Sequence, residues 1–426
     1  MQGRIDATLL FSTRLFKLLS KAGLFRCMWD TQVVIYHAGP LVGTDSSLSD
    51  ILKSIRDAKD TEPGEPPVGF AILGWHVDDG TGLACDVALQ MDPSKNRVVS
   101  YIKGFIELEY ATTLTGWHGN KALGFLQQCL DTEKQVTMSA PDAIRQLAST
   151  LLAGQVGLNP KHIMMSDIMD IEPGVVPDVG DPSRDEVLQR MAADRHGLGV
   201  MIWACNAYPQ ASMDTNTLCR HMADPSMGTH KNLCYMLHHL VPRCETECNR
   251  YGGIGCNGLE SPEHPVAPTE ALTNKLWYYH HYADASNDLR SVTGGVGMLA
   301  GGCIMSVSQT QHLVAPDSHT SEVVGGGTNF HFVVPINGLL QELHIRCGHA
   351  TMLLFDSKTT VFVASSDASI RKSAWVTRRV KVLREGEADG QIKPTFIPGT
   401  EMVADVNTKY LPYAQWRRLT SIMLNM

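Results

Sequence analysis

Residues 276–285, which read LWYYHHYADA, decide the fold of the C-terminal third of the chain. The apolar and aromatic run predicts a buried β-strand, and an acid, Asp284, lies at its end. A second short apolar strand, predicted over Thr351 to Phe355, also leads into an acid, Asp356. A strand end is a rigid position from which a carboxylate can be held towards a metal ion.

Two further acids lie where helices are expected to start. Glu322 follows Ser318-His319-Thr320-Ser321, and Asp405 lies in residues 403–409. Taken singly, each acid is better explained as a surface acid or a helix cap than as a metal ligand. Together, in strand–helix–strand–helix order, the four acids match the needs of phosphodiester hydrolysis, in which several carboxylates hold two divalent ions roughly 3.5–4 Å apart. Magnesium prefers such oxygen ligands.

Further motifs surround the four acids in a fixed order. They are Tyr282-Ala283-Asp284-Ala285, Arg290-Ser291-Val292-Thr293-Gly294-Gly295, Ile304-Met305-Ser306 with Gln311, Ser321-Glu322, Leu339-Leu340-Gln341-Glu342-Leu343-His344, Phe355-Asp356-Ser357 and Ala404-Asp405-Val406-Asn407-Thr408-Lys409-Tyr410-Leu411-Pro412. In order and spacing, residues from about 274 to 424 resemble the RNase H domain of copia-type retrotransposon polyproteins.

The resemblance implies an RNase H-like mixed five-stranded sheet with flanking helices. It implies that the catalytic and metal-binding acids are Asp284, Glu322, Asp356 and Asp405, that two Mg²⁺ or Mn²⁺ ions bind there, and that the substrate is an RNA–DNA hybrid. The sequence departs from the family pattern at three places: Ser321 replaces an acid, Ser357 replaces an asparagine, and Trp375 replaces a histidine.

The segment that carries Glu322 is a poor helix by composition. Gly325 to Gly327 and Pro335 lie within it, and glycine costs about 1 kcal/mol and proline about 3 kcal/mol in a helix interior. The sequence therefore predicts an interrupted helix. An alternative function follows, that of a catalytically inactive remnant acting as a nucleic-acid-binding or assembly module.

A basic segment could bind the hybrid. Residues 371–384 contain no acid, and the candidate phosphate-binding side chains are Arg371, Lys372, Arg378, Arg379 and Lys381. Trp375, Val376, Val380 and Leu383 follow at helical spacing, so an apolar stripe could face the core while the basic side faces phosphates. A merely solvated helix face is the other interpretation.

The stretch His76-Val77-Asp78-Asp79 follows an apolar strand and precedes Gly80. Asp-Gly is ordinary hairpin chemistry, but the stretch also resembles the Tyr-Val-Asp-Asp turn of copia-type reverse transcriptases. That resemblance implies that Asp78 and Asp79 are residual metal ligands of a polymerase palm. The third palm aspartate of the family would lie before Met1, so we expect no DNA polymerisation by this chain alone.

These patterns predict an α/β (α+β) protein in three parts. Residues 1–170 would be the second half of a truncated reverse transcriptase palm, residues 171–270 a helical thumb or connection with linkers, and residues 271–426 the RNase H-like domain. The rest of the Pol polyprotein is a candidate partner. An integrase-like alternative is disfavoured because its glutamate would come last rather than second.

Composition constrains these expectations only loosely. The 426 residues are 43% hydrophobic, as in a folded protein, and the net charge of −8 does not favour nucleic-acid binding unless basic residues cluster locally. Eleven cysteines without paired C-x-x-C spacing predict free thiols and no disulfide-linked partner. No apolar run reaches the ~18 residues of a membrane span, so we expect no membrane partner. The resemblance implies a cytoplasmic protein, in virus-like particles if expressed, with the nucleus as an alternative.

Overall fold

The computed structural model describes residues 15–28, 30, 32–38, 48–59, 61–62, 65–76, 79–88, 95–107, 120–122, 124–130, 135–152, 171–252, 279–286, 290–343, 350–366 and 374–426. They belong to two compact units. One comprises Met1–Cys129, Asn257–Glu263 and Val334–Gly348, and the other Leu130–Cys256, His264–Val333 and His349–Met426. The functional division into three parts stays a prediction. Over the described ranges, no helix has the length and apolar character needed to cross a bilayer.

An antiparallel four-stranded sheet forms the core of the first unit. Its strands, in spatial order, are β1 (Leu24–Arg26), β2 (Val33–Ala38), β3 (Gly69–His76) and β4 (Asp79–Asp86). The other described elements include a helical segment over residues 15–21, helices Leu48–Asp57 and Arg97–Glu107, and the hairpin strands β5 (Asn120–Ala122) and β6 (Phe125–Leu130). Strands β3 and β4 pair with His76 opposite Asp79.

Helices dominate the N-terminal half of the second unit. They are Pro141–Leu151, Arg184–Ala204, Ser212–Cys219 and Met227–Leu240, flanked by strands β7 (Gln135–Ser139) and β8 (Asn249–Gly252). Helix Met227–Leu240 starts with a capping box, in which Ser226 and Thr229 satisfy each other's backbone N–H groups. The helical character expected of residues 171–270 is confirmed for residues 184–240.

A mixed five-stranded sheet organises the C-terminal half. Its strands are β9 (His280–Ala285), β10 (Val292–Leu299), β11 (Gly302–Thr310), β12 (Thr351–Phe355) and β13 (Ile392–Phe396), in the spatial order β11-β10-β9-β12-β13. The pairs β9–β10 and β10–β11 are antiparallel, whereas β9–β12 and β12–β13 are parallel. The expectation of a mixed five-stranded sheet is confirmed. The flanking helices are Ser318–Glu342, Lys358–Ala364, Ala374–Ala388 and Tyr413–Met423.

The predicted interruption of the helix carrying Glu322 is wrong. Helix Ser318–Glu342 is continuous through Gly325 to Gly327 and Pro335. Tertiary packing explains the glycines: a Cβ at Gly325 would lie 3.1 Å from the Asp284 carbonyl oxygen, and one at Gly326 would lie 2.8 Å from the Phe355 ring. Glycine occupies these positions despite its unfavourable helix propensity, because only glycine lets the helix backbone lie this close to strands β9 and β12.

The predicted start of the last helix at Asp405 is also wrong. Asp405 lies in a 3₁₀ turn, Val403–Asn407, and the helix begins only at Tyr413. Pro412 explains the delay, because proline disfavours helical geometry in the residue before it but fits well at a helix start.

Candidate metal centre

Two acids of the predicted site lie at the same edge of the mixed sheet. Strands β9 and β12 run parallel, with Tyr282 level with Leu354. Two residues further along each strand come Asp284 and Asp356, and the twofold alternation of strands places residues i and i+2 on one face. The register therefore brings these two carboxylates together on one side of the sheet.

The third acid comes from a helix that packs on the other face of the sheet, where its Asn329 contacts His281. Glu322 lies in the first two turns of helix Ser318–Glu342, and its carboxylate accepts a hydrogen bond from the backbone N–H of Ala285. Carboxylate oxygens of Asp284, Glu322 and Asp356 all lie within 4.8 Å of one another. Asp284 is only 1% exposed, whereas Glu322 and Asp356 are partly buried.

Burial and mutual repulsion disfavour full ionisation of the cluster. Desolvation, followed by the charges of Asp284 and Asp356, raises the pKa of Glu322 to about 9. Burial and then the charge of Asp284 raise the pKa of Asp356. One oxygen of Glu322, Oε2, is buried without a hydrogen-bond partner among the described residues. A buried oxygen with an unused lone pair, beside two more carboxylates, fits a divalent cation that prefers oxygen ligands.

Asp405 adjoins the three-acid cluster at Asp284. It is 5% exposed, and its carboxyl group is hydrogen-bonded to that of Asp284. The Lys409 ammonium lies 2.7 Å from Asp405 Oδ1 and 3.2 Å from Asp284 Oδ2. Burial and the charge of Asp284 raise the pKa of Asp405 to about 7. The structure thus gathers Asp284, Glu322 and Asp356 within 4.8 Å of one another and places Asp405 against Asp284.

Lys409 and Thr408 were missed as site residues. The Thr408 hydroxyl donates a hydrogen bond to Asp284 Oδ2. Two neighbouring residues, Thr408 and Lys409, therefore hold the Asp284 carboxylate. Gly294 allows this approach, because a Cβ there would lie 2.4 Å from the Thr408 side chain. The sequence contained one usable signal, the four-residue spacing of Asp405 and Lys409, which suits an ion pair on a helical turn.

A buried polar network supports β9 from behind. His281 Nε2 lies 2.8 Å from Asn329 Oδ1 and Nδ1 lies 3.0 Å from the Tyr279 hydroxyl, while Asn329 donates to the carbonyls of Gly294 and Gly325. Since Asn329 Oδ1 only accepts, Nε2 donates to it. Burial lowers the pKa of His281 to about 4, which favours the neutral imidazole. His281 therefore acts in packing and positioning.

The basic helix is described only in part. Arg378 and Lys381 are exposed on helix Ala374–Ala388, and Arg379 is half-buried beside Gly327. Val376, Val380 and Leu383 are buried, so the predicted division into an apolar and a basic side is confirmed for these residues. Arg371, Lys372 and the side chain of Trp375 lie outside the described residues.

The candidate polymerase turn is not tested. Asp78 lies outside the described residues. Asp79 begins β4, but its side chain also falls outside the description. The roles suggested for both acids stay predictions.

Comparison with known proteins adds little. No protein-family model matches the chain, and no curated protein matches it. Among solved structures, the N-terminal RNase H domain of a Mycobacterium tuberculosis protein, determined as a fusion with maltose-binding protein, is 14% identical. The match covers 34% of this chain and 96% of that chain, with a TM-score of 0.25. That score is too low to establish a shared fold.

Proposed function

We propose that the C-terminal half of the second unit is a metal-dependent nuclease of the RNase H type, which hydrolyses the RNA strand of an RNA–DNA hybrid. One observation carries the proposal: the mutual approach of Asp284, Glu322 and Asp356 within 4.8 Å at one edge of a mixed five-stranded sheet. Asp405 lies next to them. Carboxylates gathered in this way, with raised pKa values, are typical of sites built for divalent ions.

In this proposal each side chain has a distinct part. Bound Mg²⁺ or Mn²⁺ supplies positive charge that stabilises the attacking and leaving oxygens of the phosphodiester. Asp284, at the centre, is held in place by Thr408 and Lys409 and faces both sides of the site. Glu322, with its pKa raised to about 9, must release a proton before it can bind a cation, so metal affinity should rise with pH. Asp356 is half-buried and offers the open side, towards which substrate would come.

Hybrid binding would use the exposed basic side of helix Ala374–Ala388. Arg378 and Lys381 are exposed there, and cationic side chains bind phosphates irrespective of base sequence. Discrimination of RNA from DNA would depend on contacts to the 2′-hydroxyl groups in the minor groove.

We propose further that the chain is part of a copia-type retrotransposon Pol polyprotein. The support is the order and spacing of the motifs from Tyr282-Ala283-Asp284-Ala285 to residues 404–412. Residues 1–170 would then be the second half of a reverse transcriptase palm and residues 171–270 its connection. DNA polymerisation would need a further metal-binding aspartate.

Cleavage of a labelled RNA strand in a hybrid tests the nuclease proposal. We expect Mg²⁺-dependent cleavage by the full chain, lost on addition of EDTA, and a decrease of at least about 100-fold in Asp356→Asn, since removal of one charge-stabilising group typically has such an effect. Asp389→Asn is the matched control, because Asp389 is exposed at the end of helix Ala374–Ala388.

The outcomes separate the candidate functions. Cleavage of the hybrid but not of an equivalent DNA duplex supports the RNase H type. Absence of Mg²⁺- and Mn²⁺-dependent cleavage in the correctly folded, unmodified chain would refute the nuclease and favour the inactive remnant. The continuous helix carrying Glu322 removes one of the sequence-based reasons for that alternative.

A further inference from the structure

The Lys409 ammonium group lies between two acids of the candidate metal centre. Its Nζ is 2.7 Å from Asp405 Oδ1 and 3.2 Å from Asp284 Oδ2. Charge-assisted contacts of this length are strong where the acceptors are shielded from water, and the Asp284 and Asp405 side chains are 0% and 7% exposed. Lys409 therefore acts as the counter-ion of this pair of acids.

Asp284 is shared by two groups of carboxylates. On one side its carboxylate lies near Glu322 and Asp356. Lys409 pairs with Asp284 and Asp405, whereas Glu322 and Asp356 have no lysine or arginine ion pair among the residues that the structure describes. On the other side it meets Asp405, and there a positive charge is already present. The two sides thus differ in what an incoming ion must displace.

We propose that the Lys409 ammonium group holds the cation position between Asp284 and Asp405, so that the protein binds one divalent ion tightly at Asp284, Glu322 and Asp356 and a second one only by displacing Lys409. This inference rests on the proposed metal-dependent function. It gives the two expected ions unequal sites, and it makes Lys409 a positioning residue whose ammonium competes with metal.

Lys409 has room to leave its position. Its side chain is 38% exposed and lines an open cavity together with Asp214, Tyr410, Leu411 and Trp416. An ion of twofold charge that attracts the same two carboxylates can therefore compete with the ammonium without any need to unpack the core. Competition of this kind weakens the second ion but does not exclude it.

Mn²⁺ binding to the full chain, followed by calorimetry and by electron paramagnetic resonance, tests the proposal without any measurement of catalysis. We expect the unmodified protein to bind one tight Mn²⁺ and a second at least about tenfold more weakly, a difference of about 1.4 kcal/mol. In Lys409→Met, which keeps the length of the side chain but removes its charge, the second ion should bind at least about tenfold more tightly than in the unmodified protein. The spectrum should then show dipolar coupling between two ions roughly 3.5–4 Å apart.

Lys409→Arg is the control, because it retains the positive charge and should keep the two sites unequal. Lys409→Gln, a second neutral variant, should behave as Lys409→Met does. It keeps the test valid if one of the two neutral variants misfolds. Two equally tight ions in the unmodified protein, or an unchanged second affinity in both neutral variants, would overturn the inference. If hybrid cleavage is retained in that case, only the role of Lys409 fails. If no variant binds Mn²⁺, the proposed function fails with it.

Discussion

Replacement of Glu322 by glutamine should make the metal-free protein more stable while it removes a ligand from the candidate metal centre. The Glu322 carboxyl is buried, lies beside Asp284 and Asp356, and has one oxygen without a hydrogen-bond partner among the described residues. Glutamine keeps the shape and an oxygen that can accept the Ala285 N–H. Its NH₂ group can in addition donate to the neighbouring carboxylates.

The size of the effect follows from the raised pKa of Glu322. In the folded protein the pKa is about 9, against 4.5 as the ordinary value. A group with a raised folded pKa contributes its full stability below the unfolded pKa and loses it as pH rises through the folded pKa. Between these two pKa values the loss is about 1.4 kcal/mol per pH unit, or about 4 kcal/mol at pH 7.5 as an upper limit. Because the neighbouring acids share protons with Glu322, we expect a gain of about 1–3 kcal/mol for Glu322→Gln at that pH.

Urea unfolding in EDTA at several pH values between about 6 and 8 measures this gain. The advantage of Glu322→Gln over the unmodified protein should increase with pH. Saturating Mg²⁺ should then make the unmodified protein more stable than the variant. At a Mg²⁺ concentration of about 100 times the dissociation constant, binding stabilises the unmodified protein by about 2.7 kcal/mol, and it stabilises the variant by less. Glu385→Gln is the control: that side chain is 64% exposed and should change stability by no more than about 0.5 kcal/mol.

The reasoning would be refuted by a Glu322→Gln protein that is less stable than the unmodified one in EDTA over this whole range. A stability difference independent of pH would refute it equally, because it would show that the carboxyl does not change its proton occupancy on unfolding.

Three further predictions concern packing and nucleic-acid binding. Gly326→Ala should lower the stability of the protein by about 1–3 kcal/mol, because the new Cβ would lie 2.8 Å from an aromatic ring. Gly199→Ala, on helix Arg184–Ala204, should raise the stability by about 0.5–1 kcal/mol, because a Cβ there would have no atom within 4 Å. Thermal unfolding of the two variants measures both effects. Asn329→Ala should cost about 2–3 kcal/mol in urea unfolding, because it leaves a buried imidazole and two carbonyls without their partner, and full stability would contradict the role of the network. Arg378→Glu and Lys381→Glu should weaken hybrid binding regardless of sequence and reduce the slope of log affinity against log salt by about 1 or more each; an unchanged slope in filter binding would exclude these side chains from the interface.

Local patterns predicted the main elements around the site because the apolar residues there are locally concentrated. Strand β12 is wholly buried and reads as an unbroken apolar run, and the basic and apolar residues of helix Ala374–Ala388 alternate at helical spacing. The motif resemblance identified Asp284, Glu322 and Asp356, which the fold does bring together. Their catalytic roles stay proposals.

The failures have a common physical cause. Helix propensity argued for a break at Gly325 to Gly327, but packing against the strands that carry the acids outweighs propensity, which amounts to about 1 kcal/mol for each glycine. The position of Asp405 on a 3₁₀ turn depends on how residues 403–408 fit over β9 and β10. Neither feature leaves a periodic signal in the chain.

By itself, the sequence determined the strands that carry Asp284 and Asp356 and the apolar and basic sides of helix Ala374–Ala388, since apolar periodicity acts between near neighbours. Only the tertiary structure decided that Thr408 and Lys409, more than 120 positions after Asp284, hold that carboxylate. Electrostatic contacts depend on distance in space, and the distance between such remote residues exists only once the strands have paired. The charge state of the site, and the unequal cation positions that we infer from it, are therefore properties of the fold.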